Sequence, residues 1–403
     1  MRQHAPVYLA GAAAAASVVS IAASQVLLGL ALAYLLLNRS HWRWPPVTLP
    51  LLLFMGWTLV ALAASPDPAA GLPQIKKFYV YLMLFVVFSA LRTLTEIRWL
   101  ALSWTAGATL SALWGLAQYI QKYLTTPDFF YFVYSNERIT GFQDHWMTFS
   151  GLQMMALLVT GSMLLFSRDR GWTFLRTCAA SIIALALLIA YTRSMWIGAA
   201  AGALWLLWSK KKWLVTLVPL TAVVALALNP FQVRDRAIAI FRPQIGALNV
   251  TEHRAALRAT GWEMIKAHPL TGIGPEQVGK QFLAYAPPSI PRPLPTDWYY
   301  QHLHNVYYQY AAERGLPALA ALLWFLFQAL FDFWRALRSL APDSEARWIL
   351  HAAIASLVAI MISGYAEVNL GDSEVLGMFL AIVACGYAAL AADARSSSGA
   401  RAR

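Results

Sequence analysis

Apolar runs of membrane-crossing length occupy most of this chain, and they restrict how its backbone can be satisfied. Inside hydrocarbon no water pairs with an N–H or C=O group, so a spanning segment closes its own hydrogen bonds as a helix or joins a closed barrel. Runs of about 17–25 apolar residues point to helices. Twelve are read from the sequence, near 6–22, 24–38, 47–64, 76–92, 97–121, 148–167, 174–191, 194–209, 213–229, 316–334, 347–366 and 375–393. Only 12% of the residues are charged, against about 25% in soluble domains. The predicted fold class is therefore all-α, a polytopic membrane protein of about 12 transmembrane helices.

A net charge of +12 would suit a nucleic-acid partner, but the order of the charges argues against one. With the N-terminus inside, the cytoplasmic side receives Arg2, Arg39, Arg43, Arg92, Arg98, Arg168, Arg170, Arg176, Lys210–Lys212, Arg335, Arg338, Arg347, Arg395, Arg401 and Arg403. The short loops of the other side receive Asp67, Asp128, Glu137, Asp144, Glu367, Asp372 and Glu374. That is the positive-inside pattern, and it predicts that both termini face the cytoplasm. Residues 177–208 are broken only by Thr192-Arg193-Ser194. A single helix there would put the flanking basic clusters on opposite sides, so a hairpin with Arg193 at the outer face is expected. The first apolar run is read as a retained helix, because cleaving it as a signal peptide would invert every later loop. Cys178 and Cys385 fall within predicted helices and imply neither a disulfide nor a thiolate metal site. The tail around Ser396–Arg401 is polar and expected to be disordered.

Between the ninth and tenth runs lies a polar segment, 230–315, for which a bilayer protein has no structural need. The expected organisation is 1–229 as helices one to nine, 230–315 as an outward-facing helical loop domain, and 316–403 as helices ten to twelve with a cytoplasmic tail. Inside the loop, 252–267 reads as a helix on which Arg254 and Arg258, four apart, share a face, and His268-Pro269 ends it. Gly272-Ile273-Gly274-Pro275 reads as a turn and 287–296 as extended. A second helix is predicted over about 299–314, with His304 on one face with Tyr300, Gln301, Tyr307 and Tyr308. Glu313 would lie on the far side of that helix, too distant to orient His304 and better placed to anchor the helix end.

The candidate chemistry follows from residue type. Arg138, Arg193, Arg254 and Arg258 fall on the outer side, and guanidinium groups bind phosphate bidentately; for Arg254 and Arg258 the alternative is a solvated face. Arg193, in a tight turn against the positive-inside trend, is the strongest of the four. A neutral His304 can take a proton from a hydroxyl, or it can be a structural member of an aromatic cluster. Lys76-Lys77 is either a phosphate contact or an interfacial pair. Asp372-Ser373-Glu374 is a weak carboxylate pair, better suited to satisfying a loop than a divalent ion. A site without metal or cofactor is expected, with arginines in place of a cation.

Four runs together resemble the bacterial O-antigen ligase family, whose superfamily includes O-antigen polymerases and O-linking oligosaccharyltransferases. They are ERITGFQDHW (137–146), YTRSMWIG (191–198), RAALRATGWEMIKAHPLTGIGPEQ (254–277) and HLHNVYYQYAAERGL (302–316). The resemblance implies a GT-C-like, metal-independent glycosyltransferase of the bacterial inner membrane. It would move polysaccharide from undecaprenyl diphosphate to a sugar hydroxyl of lipid A–core at the periplasmic face, with membrane lipid as its surroundings. By the same resemblance Arg193 and Arg258, with Arg254 and Arg138 assisting, would hold the diphosphate. His304, in a His-Asn pair with Asn305, would be the base, with Tyr308, Lys76 and Lys77 as possible supports. The chain has TRSM where Ser-Arg-Gly is commoner, and Arg258 where a Trp often stands, so Arg254 and Arg258 remain alternatives for the essential arginine. A polymerase or a protein O-oligosaccharyltransferase using the same donor is the alternative reading. A transporter is a remote one, because acidic residues avoid the span centres and no symmetric halves are evident.

Overall fold

The computed structural model describes residues 5–38, 42–126, 137–229, 234, 250–295 and 299–401. Arg2, Arg39, Asp128 and Arg403 of the charge pattern, and 230–233, 235–249 and 296–298 of the polar segment, lie outside the described residues. Every regular element among the described residues is helical. In chain order they are α1 (Ala5–Ala16), α2 (Ile21–Leu37), α3 (Thr48–Ala63), α4 (Pro68–Lys76), α5 (Phe78–Ala90), α6 (Leu94–Thr125), α7 (Trp146–Phe166) and α8 (Thr173–Ile189). There follow α9 (Arg193–Lys210), α10 (Leu217–Leu228), α11 (Val250–Ala267), α12 (Val278–Tyr285), α13 (Val306–Ser339), α14 (Ala346–Ser363) and α15 (Ser373–Arg401).

The all-helical membrane architecture matches expectation, but the count of twelve spans is not reproduced. Six helical stretches among the described residues are long and apolar enough to cross a bilayer: α4–α5 taken together (Pro68–Ala90), α6, α7, α13, α14 and the Ser373–Arg395 part of α15. Others are shorter, and local chemistry shows why. The run expected over 6–22 breaks where Ser17 Oγ turns back to the Ala14 carbonyl and Ser20 caps α2 through the Ala23 amide. Only 12 residues remain in α1, about 18 Å of helix against a hydrocarbon core of about 30 Å. The polar tail, expected to be disordered, continues as helix through Arg401.

The expected hairpin is present as α8 and α9, and its turn lies slightly earlier than predicted. Tyr191 takes a left-handed φ of 53°, so Arg193 begins α9 instead of sitting in the turn. Helices α7, α14 and α15 form the interior and are mostly buried, whereas α13 is exposed along much of its length. Helix α9 packs tightly on α14 because Gly198 and Gly202, four residues apart, leave no side chain between the backbones. A Cβ at either would lie 2.8 Å from a carbonyl oxygen, that of Ala359 or Ala355. Close approach of small residues is the usual adhesive where lipid provides no hydrophobic drive.

The connections gather at two ends. At one, Arg98 reaches Glu345 (2.7 Å) and Asp169 (3.6 Å), Arg176 pairs with Asp169 (2.8 Å) and Arg395 donates to the Arg92 carbonyl (2.7 Å). Loops that the charge pattern assigned to one side thus meet one another. At the other end, α11, α12 and the start of α13 enclose a second core around Leu257, Met264, Val278, Phe282 and Leu303. Helix α13 is kinked at Gly315 (φ 78°, ψ 169°), where the turn after α11 docks. Ile273 and Gly274 donate to the Ala312 and Glu313 carbonyls (2.8 and 3.1 Å), and Leu316 donates to that of Pro269 (2.8 Å). The Leu270 carbonyl oxygen would lie 1.9 Å from a Cβ at position 315, so only glycine fits.

Candidate functional site

Glu367, just beyond the end of α14, organises the site. Its Oε1 accepts from the Arg254 guanidinium (2.9 Å) and its Oε2 lies 3.0 Å from Nδ1 of His304. The carboxylate is buried. Burial would raise its pKa, but the His304 hydrogen bond and the Arg254 charge outweigh this and hold it at about 2. An ionised Glu367 fixes the imidazole tautomer: Nδ1–H donates to it, and Nε2 keeps the lone pair that can take a proton. The Arg254 guanidinium also donates to the Ala366 carbonyl.

His304 is not on a helix. The predicted second helix begins at Val306 rather than 299, because Asn305 caps it, its Oδ1 accepting from the Tyr307 and Tyr308 amides (2.9 and 3.0 Å). The face shared by His304 with Tyr300, Gln301, Tyr307 and Tyr308 therefore does not exist. His304 instead takes a left-handed φ of 47°, which costs a non-glycine residue about 1–2 kcal/mol. Neighbouring contacts enforce it. Val306 N–H donates to the Gly364 carbonyl (2.8 Å) and the Asn305 amide to that of Tyr365 (2.8 Å). With His304–Glu367, these stitch residues 304–306 onto 364–367. Asn305 is thus a positioning residue.

Other predicted residues are distributed unevenly. Arg138 lies over the Trp146 ring at 5.0 Å, beside His145. Burial first, then the Arg138 charge, lowers the pKa of His145, which is also within electrostatic range of Glu367 and His304. Arg193 is half-buried in the first turn of α9. Arg258, one turn beyond Arg254 on α11, is exposed. The lysine pair is split: Lys76 is exposed, whereas Lys77 donates to the Gly371 carbonyl (2.7 Å) and lines a cavity. Tyr308 packs against the second core. Glu313, expected to anchor the end of its own helix, lies inside α13, which continues to Ser339; it accepts from the Glu276 amide (2.9 Å) and so holds the turn after α11.

His302 packs against His304 with ring centroids 4.2 Å apart. Burial, then the charges of His304 and Arg254, lower its pKa to about 3, so it stays neutral. Among the described residues no group of three or more His, Cys, Asp or Glu side chains could hold a metal ion.

Sequence reasoning missed the role of Glu367, which was read only as an outward carboxylate. The one signal available was an acidic residue in the short Ala366–Gly371 connection between apolar helices. Asp372, read as satisfying a loop, accepts from the Thr148 hydroxyl (3.0 Å) and faces the same cavity as Lys77.

Residues 178–323 match the family described as O-antigen ligase. That span contains Arg193, Arg254, Arg258 and His304, but not Glu367. No curated protein matches the chain.

Proposed function

We propose that this chain, which carries an O-antigen ligase domain across residues 178–323, transfers polysaccharide from undecaprenyl diphosphate to a sugar hydroxyl of lipid A–core. The active site would face the periplasm at the bacterial inner membrane, with both termini cytoplasmic. The single observation that carries this reading is one ionised carboxylate, Glu367, holding a histidine and an arginine together at a helix-end cluster.

The chemistry needs those two groups. The acceptor hydroxyl attacks the anomeric carbon while the bond from that carbon to the diphosphate oxygen breaks. The proton passes to Nε2 of His304, and the electron pair leaves with the lipid diphosphate. Glu367 stabilises the imidazolium that forms. Charge builds on the departing phosphate, and fixed guanidinium groups are the suitable acceptors for it. Arg254 is immobilised by Glu367; Arg258, Arg193 and Arg138 would complete the diphosphate contacts. One displacement converts an α-linked donor into a β-linked product. No divalent cation is required by this scheme, so transfer should survive EDTA.

The deciding experiment reconstitutes the full chain in vesicles with a lipid-linked glycan donor. Three acceptors are offered in parallel: lipid A–core, a second lipid-linked glycan, and an unfolded pilin-like protein. Transfer to lipid A–core supports the ligase reading. Exclusive transfer to either other acceptor replaces it with a polymerase or a protein O-oligosaccharyltransferase, and none with any acceptor overturns the donor assignment.

A further inference from the structure

Beside the His304–Glu367 pair lies a cavity of about 220 Å³ that the catalytic scheme does not use. It is walled by the ends of several helices, with Lys77, Gln301, Arg314 and Asp372 among its lining and Glu367 and His302 at one side. Pockets for drug-sized ligands run to about 300–1,000 Å³; this one has room for a single sugar ring and not for a chain of them.

The charges in this cavity are unusual. Lys77 and Arg314 share it with the carboxylates of Glu276, Glu313, Glu367 and Asp372, yet among the described residues neither cation forms an ion pair. Arg314 is 2% exposed, its Nη2 donates to Gln74 (2.8 Å), it lies 4.4 Å over the Tyr310 ring, and its Nε–H has no partner. The Lys77 ammonium spends one donor on the Gly371 carbonyl (2.7 Å). A buried donor left unmet, beside carboxylates with lone pairs to spare, asks for something neutral and multiply hydrogen-bonding. Phosphate is a poor occupant, because carboxylates outnumber cations four to two on the lining. A pyranose is a good one: each hydroxyl both donates and accepts, carboxylates and amides suit them, and the exposed Tyr299 ring offers an aromatic face to the ring's C–H side.

Geometry says which sugar. In a single displacement the attacking hydroxyl and the departing phosphate lie on opposite sides of the anomeric carbon, so the diphosphate belongs with the arginines and the acceptor on another approach to His304. Glu367 contacts Arg254 through one oxygen, approaches His304 through the other and lines the cavity; Tyr299 and His302, whose rings lie 6.1 and 4.2 Å from that of His304, line it too, whereas His304 itself and Arg254, Arg258, Arg193 and Arg138 do not. We propose that the cavity is the acceptor subsite, binding one neutral pyranose ring through Lys77, Gln301, Arg314 and Asp372 and presenting its reacting hydroxyl past Tyr299 and His302 to Nε2 of His304. This rests on the transferase reading above.

The test is binding, followed by turnover. Saturation-transfer NMR on the detergent-solubilised full chain would use methyl glycosides of glucose, galactose and mannose, with inorganic pyrophosphate as competitor. At least one glycoside should bind saturably and resist pyrophosphate. Its affinity should fall roughly tenfold in Lys77→Met and in Gln301→Ala, as expected when one hydrogen-bonding partner is removed. Gln301 is exposed, so its substitution keeps the test alive if Lys77→Met fails to fold. In the vesicle assay both variants should raise the acceptor KM by a similar factor while leaving the donor KM unchanged. Competition by pyrophosphate, equal glycoside affinity in wild type and variants, or no binding across the panel would each overturn the subsite. Transfer by wild type alongside any of those results condemns the subsite alone. Glycoside binding without transfer to any acceptor condemns the transferase reading and leaves a sugar pocket.

Discussion

At one end of the helical bundle Arg98, Arg168 and Arg176 each meet a carboxylate directly. At the other, Lys77 and Arg314 share a cavity with four carboxylates and, among the described residues, pair with none. The first arrangement is closed: charge is neutralised within the protein and loops are fastened to one another. The second is less closed: Lys77 donates to a backbone carbonyl and Arg314 to the Gln74 amide, and the Arg314 Nε–H is left unmet among the described residues. Between these extremes stands Glu367, whose two oxygens are both used, one on Arg254 and one on Nδ1 of His304, leaving the other ring nitrogen of His304 outside the pair. Charge that fastens and charge that works are thus separated along the bundle, and substitutions at the two ends should separate as well.

The largest effect expected is at His304. His304→Ala removes the proton acceptor, and general-base catalysis is worth about 10²–10⁴-fold, so transfer should fall to background in the vesicle assay. The melting temperature should fall modestly, because alanine keeps the left-handed backbone cost and the buried Glu367 carboxylate loses a hydrogen-bond donor. Undiminished transfer in that variant would remove His304 from the mechanism. Glu367→Gln should follow, lowering kcat by about 10–100-fold: the amide keeps the shape but no longer stabilises an imidazolium or Arg254. If it changes only the acceptor KM and leaves kcat intact, Glu367 serves the cavity and not the base.

The arginine pair distinguishes fastening from working within a single helix. Arg254 is held by Glu367 and the Ala366 carbonyl, so Arg254→Ala should lower both kcat and the melting temperature. Arg258 is exposed and makes no hydrogen bond or ion pair among the described residues, and Arg258→Ala should weaken donor binding by roughly tenfold with no change in melting temperature. Equal thermal losses in the two variants would erase the distinction.

How much of this was legible in the sequence depends on distance along the chain. Hydropathy and charge order gave the helical membrane class, the α8–α9 hairpin and the gathering of basic loops, because each is written in contiguous residues. The count of spans was less legible: Ser17 and Ser20 end α1 early, and hydropathy averages over such local hydrogen bonds. Helical periodicity misplaced His304, since Asn305 is a better cap than an interior residue and starts α13 after it. The link from His304 to Glu367 spans 63 residues and has no local signature at all. Lys77 and Asp372 were noted singly, but only the packed helix ends bring them to one cavity.

Acid stability probes the working end without any substrate. His302 has its pKa lowered to about 3 by burial first, so its neutral form contributes stability that is complete above the ordinary value of 6.5 and is lost as pH falls through about 3. Asp372 is raised to about 6, burial again leading, so its protonation adds stability as pH falls through about 6 toward 3.8. The two oppose each other over the same interval, and wild type should show a shallow melting profile there. His302→Gln should make the protein gain stability on mild acidification, and Asp372→Asn should make it lose stability, each by an amount visible in pH-resolved calorimetry. Parallel profiles for both variants would mean that neither group senses burial as described.

The smallest effect belongs to the closed end. Arg98 and its partner Glu345 keep 30% and 21% of their side-chain surface in solvent, and pairs so exposed contribute at most about 1 kcal/mol. Arg98→Ala should therefore lower the melting temperature by only a few degrees, less so at high salt, and leave kcat and both KM values where they were. A loss of transfer in Arg98→Ala without loss of fold would mean that the loops at the closed end are coupled to the site across the length of the bundle. The separation of fastening from working charge would then fail, because the interior helices α7, α14 and α15, which run from one end to the other, would be transmitting position as well as supplying a core.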